Sequence, residues 1–243
     1  MTDSAPIAGS RVAFFGGSFD PPHRGHLAIA RAAKTALQLD TVFFAPVGAQ
    51  PLKPDGSTAS FEDRVAMTRL AIADGPGFAL SLADAPNTAG TPNYTIDTLK
   101  QIRAGLPPDA TLFCLLGADS FLALRRWRRG TEVPFVAPLI VASRPGQNLA
   151  DLAHALPPGL SLAEECLPTP TAHCIELQSC TIRNAAGATV PFYLLPGLHI
   201  DISATAIRDE IHPEVARIPV GEGHHRDLPD SVFDYIAAHN LYR

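Results

Sequence analysis

The 243-residue chain is 46% hydrophobic and 18% charged, which excludes an intrinsically disordered protein and leaves enough apolar matter for a large core. Its formal charge of −5 argues against a general nucleic-acid binder, which needs a basic face against the phosphates, but leaves small anionic ligands open. No apolar run approaches the ~20 residues that span a bilayer, and the first ten residues have no signal-peptide pattern, so no membrane association and a cytoplasmic location are expected.

The first element is an apolar run, Val12 to Phe15, suited to a strand buried on both faces. Gly16 and Gly17 end it with a turn that leaves room for a ligand against the backbone. Asp20, Pro21 and Pro22 lead into a helix expected from about Gly25 to Leu39. Strand, glycine turn and helix N-terminus together make a phosphate site, because free N–H groups and the helix dipole favour an anion there. His23 and His26 stand three residues apart, so both fit on one face of the first helical turn. Taken alone, two such histidines read equally as surface or capping residues.

A second strand is expected at Thr41 to Ala45, followed by a Gly- and Pro-rich loop from Gly48 to Ser57 that carries Lys53. Ser60 and Asp63 make a capping-box-like start to a helix whose apolar face would hold Phe61, Val65 and Ile72. Phe78 to Leu82 alternates as a strand does, and Asn93 or a neighbour can cap a helix that contains Tyr94 and Thr95. Thr111 to Leu116 is a strand stopped at Gly117, with Asp119 opening the helix behind it. Leu139 to Ser143 is a further strand, leading into Arg144. Alternating strands and helices indicate βαβ units: a Rossmann-like, doubly wound α/β fold with a mostly parallel sheet and helices on both faces. In such a sheet the loops after the strands collect at one edge, where ligands bind.

Beyond residue 145 the pattern weakens. A helical patch near Leu149 to Leu156 and two strand-like runs, Cys174 to Ile182 and Val190 to Leu195, are expected, the runs forming a hairpin. Ile200 to Arg208, IDISATAIR, reads as a strand end and a helix start, with hydroxyls at Ser203 and Thr205 and Arg208 one turn further on. A capped surface helix would look the same. The last helix is expected over Asp230 to Asn240. No linker divides the chain, which is read as one domain, 1–243, with a hairpin or insertion at 157–200 and a helical part at 201–243. Of the four cysteines, Cys114 lies in an apolar strand. The spacing of Cys166, Cys174 and Cys180 fits no standard zinc site, so free thiols and no resident metal are expected.

GGSFDPPHRGH, from Gly16 to His26, closely resembles the GG(T/S)FDPxHxGH signature of the nucleotidylyltransferase superfamily. ISATAIR resembles its second signature, ISSTxIR, with Ala204 in place of a serine. EDRVAM, NYTIDTL, LLGADSF, Trp127, SRPG and the closing YIAAHNLYR extend the likeness to the bacterial nicotinate-nucleotide adenylyltransferase family. The segment before Lys53 reads QPLK, without the family's usual histidine. The resemblance implies adenylyl transfer from ATP to nicotinate mononucleotide, with Mg²⁺ arriving on the ATP. It implies catalytic roles for His23, His26 and Arg208. It assigns ATP contacts to Gly16, Gly17, Ser18, Phe19, Gly117, Asp119, Arg144, Ile202, Ser203 and Thr205, and the pyridine nucleotide to Lys53, Tyr94, Thr95 and Trp127. Nicotinamide mononucleotide or pantetheine phosphate as acceptor, and a non-catalytic nucleotide-binding module, are the rival readings. Whether the chain forms a homo-oligomer is left open.

Overall fold

The structure, a computed structural model, describes residues 9–52, 56–88, 90–143, 154–163, 167–169, 171, 176–195, 202–211 and 225–243. The chain divides into two compact units: residues 1–15, 29–43 and 94–199 form one, and residues 16–28, 44–93 and 200–243 form the other.

The first unit is built on parallel strands. β1 (Arg11–Gly17) pairs β4 (Thr111–Gly117), which pairs β5 (Leu139–Ala142), which in turn pairs β9 (Thr189–Leu195), every pair parallel. β2 (Thr41–Pro46) lies on the other side of β1, so the strand order reverses between β1 and β4. In open α/β sheets ligands bind at such a reversal of strand order. β1 and β4 are apolar at almost every position because both of their faces are covered: Val12, Ala13, Phe14, Leu112, Phe113, Cys114 and Leu115 are all buried. Beyond β9 the sheet turns antiparallel. β8 (Gln178–Asn184) forms a hairpin with β9, and β6 (Leu160–Leu162) and β7 (Leu167–Pro168) both pair β8. This unit also holds α3 (Thr95–Gly105), the short α4 (Ala118–Leu122) and α5 (Val133–Val136).

The second unit holds the start of α1 (Arg24–Leu37), α2 (Phe61–Ile72), β3 (Phe78–Leu80), α6 (Ala204–Ile211) and α7 (Asp230–Ala238). Ser60 caps α2 as its sequence requires, its hydroxyl accepting the Asp63 N–H at 3.0 Å. The buried face of α2 is not the expected one. Arg64, Met67, Thr68, Ala71 and Ile72 are buried, while Phe61 and Val65 are only half-buried. The helix is rotated so that an arginine enters the interior, where its cation meets polar backbone rather than solvent.

One expectation is narrowed and another corrected. Asn93 does not cap α3: its side-chain oxygen accepts the Ala49 N–H and its NH₂ donates to Ala85 O. The cap position is Tyr94, whose side chain caps nothing. The expectation of free thiols holds for Cys114, buried and pushed up to about 12 by that burial, but fails for Cys180, which is disulfide-bonded to a residue outside the described ones. Three cysteines within fifteen residues make for a short loop, and closing a short loop costs little chain entropy. Among the described residues no helix is long and apolar enough to cross a membrane.

Candidate active site

The site is built first on the turn after β1. Val47 N–H donates to Gly17 O, which holds the strand exit beside the end of β2. A Cβ at Gly17 would press to within 3.3 Å of the Phe19 ring, so glycine is the residue that fits. Phe19 adopts φ +47°, a left-handed conformation that costs a bulky residue energy and needs a packed surrounding to persist. Its ring is buried, 4.9 Å from His26 and 5.7 Å from Phe44 by centroid. Phe19 therefore acts through its packing, and its side chain supports the His26 imidazole from one edge.

His23 and His26 flank the first turn of α1. The His23 carbonyl accepts the N–H groups of His26 and Leu27, so His23 occupies the cap position. His26, three residues on, returns the favour: its Nδ1 accepts the His23 N–H at 3.2 Å. This is a capping box in which an imidazole plays the part usually taken by glutamate. Accepting at Nδ1 leaves the ring proton of neutral His26 on Nε2. The two rings stack with centroids 3.7 Å apart. Burial lowers His23 to about 4, with Asp227 opposing the shift, and burial followed by the neighbouring His23 pulls His26 well below its usual value. Both are thus neutral imidazoles at pH 7. His23 Nδ1 is buried with no hydrogen-bond partner among the described residues.

The surrounding residues converge on the same turn. Gln50 Nε2 donates to Ser18 Oγ at 3.0 Å, and Arg64 donates to Ser18 O at 2.7 Å. Arg208, the fifth residue of α6, donates to Asp20 O at 2.7 Å and to Thr205 Oγ1 at 3.3 Å. Ser203 O accepts the Ile207 N–H, so Ser203 stands at the start of α6, where it and Thr205 are exposed and Ile202 is half-buried. The second unit therefore gathers Gly16, Gly17, Ser18, Phe19, His23, His26 and Arg208 around one strand-to-helix turn. Lys53 and Arg144 lie outside the described residues.

The other candidates belong to the first unit. Gly117 ends β4, and a Cβ there would meet no atom within 4 Å. Asp119 is exposed in the first turn of α4. Tyr94 and Thr95 stand at the start of α3, with the Arg128 guanidinium 4.6 Å from the Tyr94 ring centroid and 3.8 Å from Asp97. Trp127, half-buried, is the residue next to Arg128 and follows the turn Leu124–Arg126. Sequence reasoning missed Asp20, Arg64, Gln50 and Tyr242, the residues that hold the turn. A buried carboxylate inside an otherwise apolar and proline-rich turn was the available signal.

Neutral histidines at a helix start after a parallel strand have the layout of a phosphate site. The chain belongs to the cytidylyltransferase-like family of nucleotidyltransferases, whose pattern matches residues 14–210. Among its relatives is a probable nicotinate-nucleotide adenylyltransferase of Citrifermentans bemidjiense, 36% identical over 232 residues that cover 96% of this chain and 98% of that one. Another, of Laribacter hongkongensis and of the same description, is 38% identical over 234 residues covering 96% and 94%. The resemblance seen in the motifs thus extends over nearly the whole length. The fold is that of the Plasmodium falciparum nicotinic acid mononucleotide adenylyltransferase complexed with NaAD, with a TM-score of 0.64 at 17% identity over 96% of this chain and 97% of that one.

Proposed function

We propose that this chain transfers the adenylyl group of ATP to the phosphate of nicotinate mononucleotide, releasing pyrophosphate and forming the dinucleotide deamido-NAD. The observation that carries the chemistry is the stacked, neutral His23–His26 pair at the start of α1. The acceptor is supported by relatives that match the chain end to end and are named for that reaction.

A phosphate oxygen of the mononucleotide attacks the α-phosphorus of ATP, a new P–O bond forms, and the bond from that phosphorus to the β-phosphate bridge breaks. The electron pair leaves with pyrophosphate. The attacking phosphomonoester already carries nearly two charges at neutral pH, its second pKa being about 6, so no side chain has to deprotonate it. The protein's work is positioning and charge stabilisation. Neutral imidazoles suit this: His26 presents Nε2–H as a fixed donor, and its ring is already oriented by the cap and by Phe19. In this reading His23, His26, Ser18, Ser203, Thr205 and Arg208 serve the triphosphate, with backbone contacts from Gly16, Gly17, Phe19 and Ile202. Gly117, Asp119 and Arg144 serve the adenosine side, and Lys53, Tyr94, Thr95 and Trp127 the pyridine nucleotide.

ATP enters as its Mg²⁺ complex, so the ion belongs to the substrate. Among the described residues no group of three or more His, Cys, Asp or Glu is placed to hold a metal, and no step is assigned to one. We read residues 1–243 as one catalytic domain, since the family match spans segments of both units. The work of making a dinucleotide from ATP fits a cytoplasmic enzyme. Mixing the purified protein with MgATP and nicotinate mononucleotide tests the reading. Equimolar pyrophosphate and deamido-NAD are expected, and no pyrophosphate release would overturn it.

A further inference from the structure

We infer that Tyr242, the next-to-last residue of the chain, is a positioning residue for the catalytic turn, acting through Asp20; the inference deepens the adenylyl-transfer reading and rests on it. Asp20 is three residues before His23, and its carboxylate is buried at 4% exposure. Oδ2 accepts the Thr58 N–H at 2.6 Å, and Oδ1 accepts the Ala59 N–H at 3.1 Å and the Tyr242 O–H at 2.7 Å. One carboxylate therefore joins the catalytic turn, the loop before α2 and the C-terminus, across a separation of 222 residues in the last case. Asp20 O and Ser18 O, held by Arg208 and Arg64, fix the backbone of the same turn.

Tyr242 is 8% exposed and held at φ +65°, a conformation that a tyrosine keeps only where its surroundings demand it. Burial, and then the Asp20 charge, raise its phenol far above the usual value, so it remains an O–H donor throughout the working pH range. A hydrogen bond to a buried charge is among the strong ones, and of the three donors to the Asp20 carboxylate among the described residues it is the only side chain. Without it the carboxylate is held by two amides of a single loop and can turn about them. His23 follows two prolines later, so a shift of Asp20 passes directly into the imidazole pair. Misplacement by about 1 Å of a catalytic group costs up to about 10²-fold in rate.

The test is the variant Tyr242→Phe, which keeps the buried ring and removes only the hydroxyl, compared with the wild-type chain in adenylyl transfer. The expected result is a kcat lowered about tenfold, with KM for both substrates within twofold and a folded protein by circular dichroism. A kcat within twofold of wild type, or raised KM at unchanged kcat, would overturn the inference and show a purely packing role. A second readout does not depend on turnover: the ring resonances of His23 and His26 in histidine-labelled protein should move in Tyr242→Phe while those of His154 and His239 stay. Unmoved His23 and His26 signals overturn the inference even for a protein that proves inactive. An inactive wild type with moved signals instead overturns the adenylyl-transfer reading and leaves the Tyr242 link standing.

Discussion

The N–H of His23 donates to Nδ1 of His26 at 3.2 Å while their rings stack at 3.7 Å, so the helix cap and the candidate phosphate-binding pair are one structure. The same hydrogen bond that starts α1 leaves the ring proton of neutral His26 on Nε2. The geometry of the candidate pair and local folding are thus coupled at this turn, and changes to either histidine act on both.

Replacing His23 or His26 by alanine should lower kcat about 10²–10³-fold, the usual cost of removing one donor to a developing charge. His26→Ala also removes the cap acceptor and should cost about 1 kcal/mol of stability. Initial-rate kinetics with chemical denaturation separate the two effects. Near wild-type turnover in both variants would contradict the role given to the pair.

The pH dependence of stability follows from the lowered histidines. The unfolded chain binds their protons near pH 6.5, whereas folded His23 does so only near 4, so the unfolded state holds more protons between those values. The contribution is complete above about pH 6.5 and is lost as pH falls toward 4. His23 should cost about 1.4 kcal/mol of stability per pH unit inside that window, and His26, lowered in the same direction, adds a loss of the same sign. Denaturation midpoints of the wild type and of His23→Gln/His26→Gln between pH 7.5 and 4.5 measure it. The variant should show the shallower slope, and equal slopes would contradict the assignment.

Arg64 is 2% exposed and spends NH1 on Ser18 O beside buried Asp20. Removing it as Arg64→Ala takes away a buried cation whose charge acts on Asp20 and leaves Ser18 O without that donor. A loss of about 3 kcal/mol is expected in urea denaturation. A change under 1 kcal/mol would show that solvent reaches Asp20.

Much of this architecture could be read before the structure. The strands at Val12–Phe15 and Thr111–Leu116 showed in apolar runs because both faces are covered, and the α2 cap showed in Ser60 and Asp63 because capping is local. The two histidines were legible from the strand, glycine turn and helix start around them and from the GGSFDPPHRGH motif, not from their spacing alone. What holds them was not. Asp20 and Tyr242 meet across most of the chain, and Arg64 points inward against the polarity of its helix, relationships that no local pattern encodes. Phe19 reads in sequence as part of a binding loop, yet its ring is buried, because a positive φ turns it inward against His26. The hairpin of β8 and β9 showed in its two apolar runs, whereas β6 and β7 were hidden because they are only three and two residues long and none of their side chains is fully buried.

The disulfide at Cys180 lies in that antiparallel part, on β8, which belongs to a different unit from the histidine turn. Reduction should therefore leave the initial rate within twofold. Rates with and without dithiothreitol, alongside a thiol count on the denatured protein, check this. A large loss of rate on reduction would link the extension to turnover.

The central claim is the identity of the acceptor, and parallel kcat/KM values for nicotinate mononucleotide, its amide and pantetheine phosphate test it most directly. A pocket that offers N–H donors to the nicotinate carboxylate cannot satisfy an amide equally, because the amide's NH₂ donates where an acceptor is wanted. Each buried donor left unpaired costs about 1–3 kcal/mol, a ten- to hundredfold preference. The account predicts that nicotinate mononucleotide is used at least tenfold better than the amide, with no turnover of pantetheine phosphate. Equal values for the two mononucleotides, or a preference for pantetheine phosphate, would contradict it.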